Sequence, residues 1–138
     1  MQDRPTALEL LAAVRQFLEE QVVPALEGGR QFHARVAANV LAIVGRELQH
    51  GDAQLRAEWR RLTALLAPAR AHGEPPADAA LLREEVAALT AELAARVRAG
   101  DVDAGPFRAA VLAHLRATAD EKLRIANPGY LGNLEEGR

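Results

Sequence analysis

His33, Glu47 and Lys122 are the side chains best suited to chemistry in this chain. An imidazole, a carboxylate and an ammonium group brought into one cleft would make a general acid–base site. Lys122 is the only lysine, although Lys and Arg together number 17. The composition is crowded with Ala, Arg, Gly and Leu and poor in Lys, Asn, Ile, Tyr and Phe, as expected of GC-rich coding. Residue types that such a bias suppresses mark places of constraint. They gather as Lys122, Ile125, Asn127, Tyr130 and Asn133, and again as Phe32, Asn39 and Ile43. Arg30, with His33 and Arg35 close by at a helix start, could hold an anion on free backbone N–H groups.

Other chemistries fail on spacing. Glu47-Leu48-Gln49-His50 has the Glu-x-x-His spacing of di-iron bundles, which need two copies of it. His33, His72 and His114 have no Glu three residues before them, so the second copy is missing and no metal is expected. The chain has no cysteine and no serine, which removes the usual hydrolytic nucleophiles, disulfides and thiolate metal sites. Thr6, Thr63, Thr90, Thr118 and Tyr130 are the remaining hydroxyls. Gly28-Gly29 follows no strand and has no Lys-Ser/Thr, so it is no phosphate cradle and no cofactor is expected.

The elements that must position these groups are helices. At 138 residues, 49% hydrophobic and 26% charged, the chain can build one ordinary hydrophobic core without staples. A net charge of −2 offers no basic field for nucleic acid or anionic lipid, and neither partner is expected. No signal peptide or membrane span is expected, which makes cytoplasmic the default.

Thr6-Ala7-Leu8-Glu9 is a capping box that opens a first helix, and Pro24 and Gly28-Gly29 close it. A second helix is expected from Arg30 to His50, ended by Gly51, with Phe32, Val36, Val40, Ile43, Val44 and Leu48 facing inward. Asp52 would cap a third, bearing Leu55, Trp59, Leu62 and Leu66. Residues 68–77 read as a loop. Asp78 would cap a fourth, whose stripe Leu82, Val86, Leu89, Leu93 and Val97 approaches a coiled-coil seam and could support self-association. The last runs from near Gly105-Pro106 to Ala126, stopped by Asn127-Pro128. The expectation is an all-α, single-domain bundle over 1–138, of about five mostly antiparallel helices. Residues 127–138 would form a C-terminal extension, partly disordered at its end.

Polar side chains inside these arcs are the useful signals. On the last helix Phe107, Val111, Leu115, Thr118 and Ile125 share a face, and Lys122 projects between Val111 and Leu115. His33 projects between Val40 and Val44, Glu47 lies beside Ile43, and Asn39 sits at the arc's edge next to Phe32. Glu47 and Lys122 are expected to pair across two packed helices, fixing which helices meet.

Two segments carry a resemblance. Arg30-Gln31-Phe32-His33-Ala34-Arg35-Val36-Ala37-Ala38-Asn39-Val40-Leu41 and the ending Asp120-Glu121-Lys122-Leu123-Arg124-Ile125-Ala126-Asn127-Pro128-Gly129-Tyr130-Leu131 resemble an uncharacterised bacterial domain family. The opening Arg4-Pro5-Thr6 through Leu10, and Glu19-Glu20 to Leu26, fits it as well. Members of that family look like companions, by gene neighbourhood or fusion, of aminoglycoside-phosphotransferase-like kinases and acyl-CoA dehydrogenases. The resemblance implies an accessory role beside such enzymes, not their catalysis. Gly129 stands where an Arg-like residue is expected and weakens an anion site at the tail. The resulting expectation is a non-catalytic interaction module with a protein partner, docking through the second helix and the Asn127 to Leu131 segment. The alternative is a small-molecule or anion site drawn from Arg30, His33, Glu47 and Lys122. The binding candidates are Arg30, His33, Asn39, Glu47, Lys122, Asn127 and Tyr130.

Overall fold

The computed structural model describes residues 4–70 and 73–131. Among these residues every regular element is helical: α1 (Ala7–Phe17), α2 (Gly28–Leu66), α3 (Ala79–Arg98) and α4 (Gly105–Ala126). A π-helical turn, Leu18–Val22, prolongs α1, a short 3₁₀ turn covers Pro68–Arg70, and residues 128–131 form a further helical turn. Asn133 and the rest of the expected disordered end lie outside the described residues.

Local chemistry sets most of the boundaries. The Thr6 hydroxyl accepts from the Glu9 N–H at 3.2 Å, while the Thr6 N–H donates to the Glu9 carboxylate at 2.7 Å, so the capping box is complete. The Gln31 side-chain amide donates to the Val23 carbonyl at 3.1 Å, tying the start of α2 to the end of the π turn. Asp78 caps α3 by accepting from the Ala80 and Leu81 N–H groups, both at 2.8 Å. At the other end of α3, Asp101 N–H reaches Arg96 carbonyl and Gly100 N–H reaches Val97 carbonyl. This Schellman closure requires the left-handed backbone that Gly100 supplies at φ +87°.

The expected break at Gly51 is absent. The predicted second and third helices are one helix of 39 residues. A lone glycine in a helix costs only about 1 kcal/mol relative to alanine, and no proline lies between Pro24 and Pro68. Asp52 does not cap; it stays within the helix and pairs with Arg56 one turn on, at 2.8 Å.

The contacts divide the chain into two units. The first is Met1–Gly51 with Ile125–Asn127; the second is Asp52–Arg124 with Pro128–Arg138. In the first, α1 lies against the small-residue side of α2, around Ala38, Ala42 and Gly45, and Ala38 is buried. Phe32, Val36, Val40, Val44 and Leu48, expected to face inward, are exposed, and Ile43 is half-buried. The side of α2 along which α1 lies includes these small residues, while Phe32, Leu48 and the valines lie elsewhere on the helix. Arg46 also lies on this side, and its Nε donates to the Ile125 carbonyl at 2.6 Å, which holds the end of α4 in this unit.

The second unit has the larger core. Trp59 and Leu62 from α2, Leu82, Val86, Leu89 and Leu93 from α3, and Val111 from α4 form one buried cluster. Leu55, Leu65, Leu66, Val102 and Phe107 pack around it. Each such side chain contributes on the order of 1.5–3 kcal/mol when fully buried. The stripe from Leu82 to Leu93, read above as a seam for self-association, is consumed inside this core; of it, only Val97 is exposed.

Gly51→Ala tests the continuity of α2. Gly51 has no left-handed backbone to preserve, and an added Cβ would meet only the far end of the Glu47 side chain. Thermal unfolding should shift upward, by about 0.5–1 kcal/mol of added stability. A loss of stability would mean that the chain turns there.

Candidate functional site

Side chains that the sequence nominates lie on the surface. Arg30 and His33 line one shallow depression with Leu26, Glu27 and Gly29. The Phe32 and His33 rings meet edge to face at 5.6 Å, yet both are exposed. Asn39 lines a different cleft of about 430 Å³ between α1 and α2, with Arg15, Glu19, Arg35 and Arg46. Two of its three arginines are engaged, Arg15 with Glu19 at 4.0 Å and Arg46 with the Ile125 carbonyl. Glu47 is exposed in the first unit and Lys122 is exposed in the second. Asn127 and Tyr130 are exposed as well.

Lys122 is outside because α4 presents a different face from the one expected. Val111, His114 and Ile125 are buried, Phe107 and Thr118 are half-buried, and Leu115 is half exposed at 50%. Inward positions run Phe107, Val111, His114, Thr118, Glu121 and Ile125, at steps of four and three.

The polar centre on that face is Arg61 of α2. Its guanidinium fork donates two bonds to the Glu121 carboxylate, at 2.8 and 2.6 Å, and a longer one to the Thr118 hydroxyl at 3.4 Å. The pair is mostly covered, with the two side chains 25% and 17% exposed. Nearby, Trp59 sends its indole N–H to Glu85 at 2.8 Å. His114 is 5% exposed and Thr63 is 1% exposed. His114 Nδ1, Thr63 Oγ1 and Arg61 Nε are buried with no hydrogen-bond partner among the described residues.

Burial is the main reason the His114 imidazole is held below its ordinary value of 6.5, and the charge on Arg61 adds to it. Glu58 and Glu121 pull the other way. His114 is therefore neutral at pH 7. A neutral imidazole can act as a base, but this one is enclosed, and a general base must reach the proton it removes. The arrangement is suited to fixing helices against each other rather than to turnover. Among the described residues, no group of three His, Asp or Glu side chains is placed to hold a metal ion. No helix of those residues is long and apolar enough to cross a membrane.

A family described as a domain of unknown function (DUF6285) matches residues 24–130. The chain belongs to that family. The DUF6285 match takes in α2, α3, α4 and Tyr130, so it includes Arg61, His114 and Glu121 and begins after α1. No curated protein and no solved structure matches the chain.

Two experiments probe the buried network. Glu121→Gln should cost about 1–3 kcal/mol in urea unfolding, between the values of surface and fully buried pairs. Made in an Arg61→Met background, the same change should cost far less, and equal costs in both would dismiss the pairing. His114 gives a pH signature. Its folded form resists a proton that the unfolded chain accepts, so its contribution is complete above about pH 6.5. Stability then falls as the pH drops from there through the lowered folded value. His114→Gln should flatten that segment of the midpoint-versus-pH curve, and an unchanged slope would count against a buried neutral imidazole.

Proposed function

We propose that this chain is a non-catalytic helical interaction module, an accessory that works by binding another protein. The supporting observation is the amount of apolar side chain that the first unit leaves in solvent. On α1, Leu10, Val14 and Phe17 form an exposed stripe at steps of four and three, with Phe17 58% exposed. On α2 the row from Phe32 to Leu48 is also exposed, and Phe32 reaches 62%. Contiguous exposed apolar surface of this kind marks interaction sites, and aromatic anchors carry much of the energy there. In the second unit, Tyr130 adds an exposed aromatic ring on the helical turn after α4.

The resemblance of the Arg30–Leu41 and Asp120–Leu131 segments to companions of kinases and dehydrogenases suggests the class of partner. It is an aminoglycoside-phosphotransferase-like kinase or an acyl-CoA dehydrogenase, in the cytoplasm of a bacterium. The second reading, a small-molecule or anion site, draws support from the arginine-lined cleft beside Asn39, which takes in none of His33, Glu47 and Lys122.

Calorimetric titration against a purified kinase and a purified dehydrogenase from the same genomic neighbourhood separates these readings. One of the two should bind, and Phe17→Ser together with Tyr130→Ala should weaken it by about tenfold or more. Absence of binding to both, with stabilisation by a phosphate ester that Arg35→Ala abolishes, would favour the anion site.

A further inference from the structure

The exposed face of α2 is nearly the same read in either direction. At 100° per residue, His33, Val36, Val40, Val44 and Glu47 fall within about 80° of arc. Steps between them are three, four, four and three, symmetric about Val40. Phe32 and Leu48 flank the row at equal distances from Val40. Val36, Val40 and Val44 are all exposed, as are His33 and Glu47 at the two ends. α1 occupies the other side of the helix, around Ala38, Ala42 and Gly45.

We infer that this face is closed by a second copy of the chain, with two α2 helices antiparallel about a two-fold axis at Val40. A two-fold interface needs a patch that complements itself, and few helix faces do. Here Val40 meets Val40 and Val36 meets the partner's Val44 twice, while Phe32 and the partner's Leu48 stand on the two edges of the seam. His33 faces the partner's Glu47 at both ends, two acid–base pairs about 21 Å apart along the helix. A parallel pairing would set the Glu47 carboxylates against each other, so charge favours the antiparallel one. Valine suits the seam because its χ1 is already fixed in a helix, and little freedom is lost on contact. One helix against one helix is a small interface, so the dimer dissociates on dilution. This goes beyond the accessory role: it uses α2 and leaves the α1 stripe and Tyr130 to the other partner.

Sedimentation over a concentration series tests it with the full chain. The wild type should pass from monomer to dimer. His33→Glu should weaken association by about tenfold or more, because it sets carboxylates together twice, and Glu47→Lys should weaken it by removing the carboxylate that each His33 faces. His33→Glu combined with Glu47→Lys should restore it, since the new carboxylate of each copy then faces the new ammonium of the other. Val40→Asp should abolish the dimer while circular dichroism stays helical, because Val40 is exposed in the monomer. A wild type that stays monomeric to its solubility limit overturns the inference. So does a dimer indifferent to these changes, or one that the double charge reversal fails to rescue. Kinase or dehydrogenase binding is a separate readout, so either proposal can fail alone.

Discussion

The two bonds between Arg61 and Glu121 fix the rotation of α4, and the rest of the second unit follows from that rotation. A planar guanidinium engaging both carboxylate oxygens tolerates little twist. With Glu121 turned toward α2, residues one and two turns earlier turn the same way, so Thr118 and His114 come inside and Leu115 and Lys122 go out. Val111 then meets the core built by Trp59, Leu62 and the α3 stripe. Desolvating such a pair offsets much of its attraction, so its main yield is register. His114 Nδ1 and Thr63 Oγ1 are buried without a hydrogen-bond partner among the described residues, a cost that the surrounding apolar packing offsets.

α2 divides its labour by side-chain size. Toward α1 it presents Ala38, Ala42 and Gly45; away from α1 it presents valines, Phe32 and Leu48. A face of small residues has little apolar area to bury, and a face of larger residues has more. Larger residues here are the ones left in water, opposite to what a stability argument for an isolated unit would choose. That inversion is the physical reason for reading the chain as something that binds.

Features legible in the sequence were those decided locally. The Thr6 capping box, the Asp78 cap, the end of α4 before Asn127-Pro128 and the all-helical class depend on neighbours a few residues apart. Continuity through Gly51 was not legible, because a weak breaker is overruled by 39 residues of otherwise good helix. On α4 the buried face lies about one position away from where the apolar spacing puts it. Phe107, Val111 and Ile125 fit either rotation, and the choice between His114 and Leu115 lay with Arg61, 57 residues from Thr118 in the chain. The arc on α2 was correct as a pattern and wrong as a direction, since periodicity identifies an apolar face without naming what covers it. For the network itself, the available clue was the spacing of His114, Thr118 and Glu121 on one side of α4, with Arg61 among Trp59 and Leu62.

Arg46 holding the Ile125 carbonyl gives the chain a temporal order as well as a spatial one. Residues 125–127 belong to the unit that begins the chain, while nearly everything between belongs to the other. On a ribosome, which releases the N-terminus first, α1 and the first part of α2 emerge early but lack their last piece. By the time Ile125 leaves the exit tunnel, Trp59, the α3 stripe and Val111 have all been made and can already be packed. The first unit therefore waits for a piece made long after the rest of it, and through that interval its apolar side chains stand uncovered.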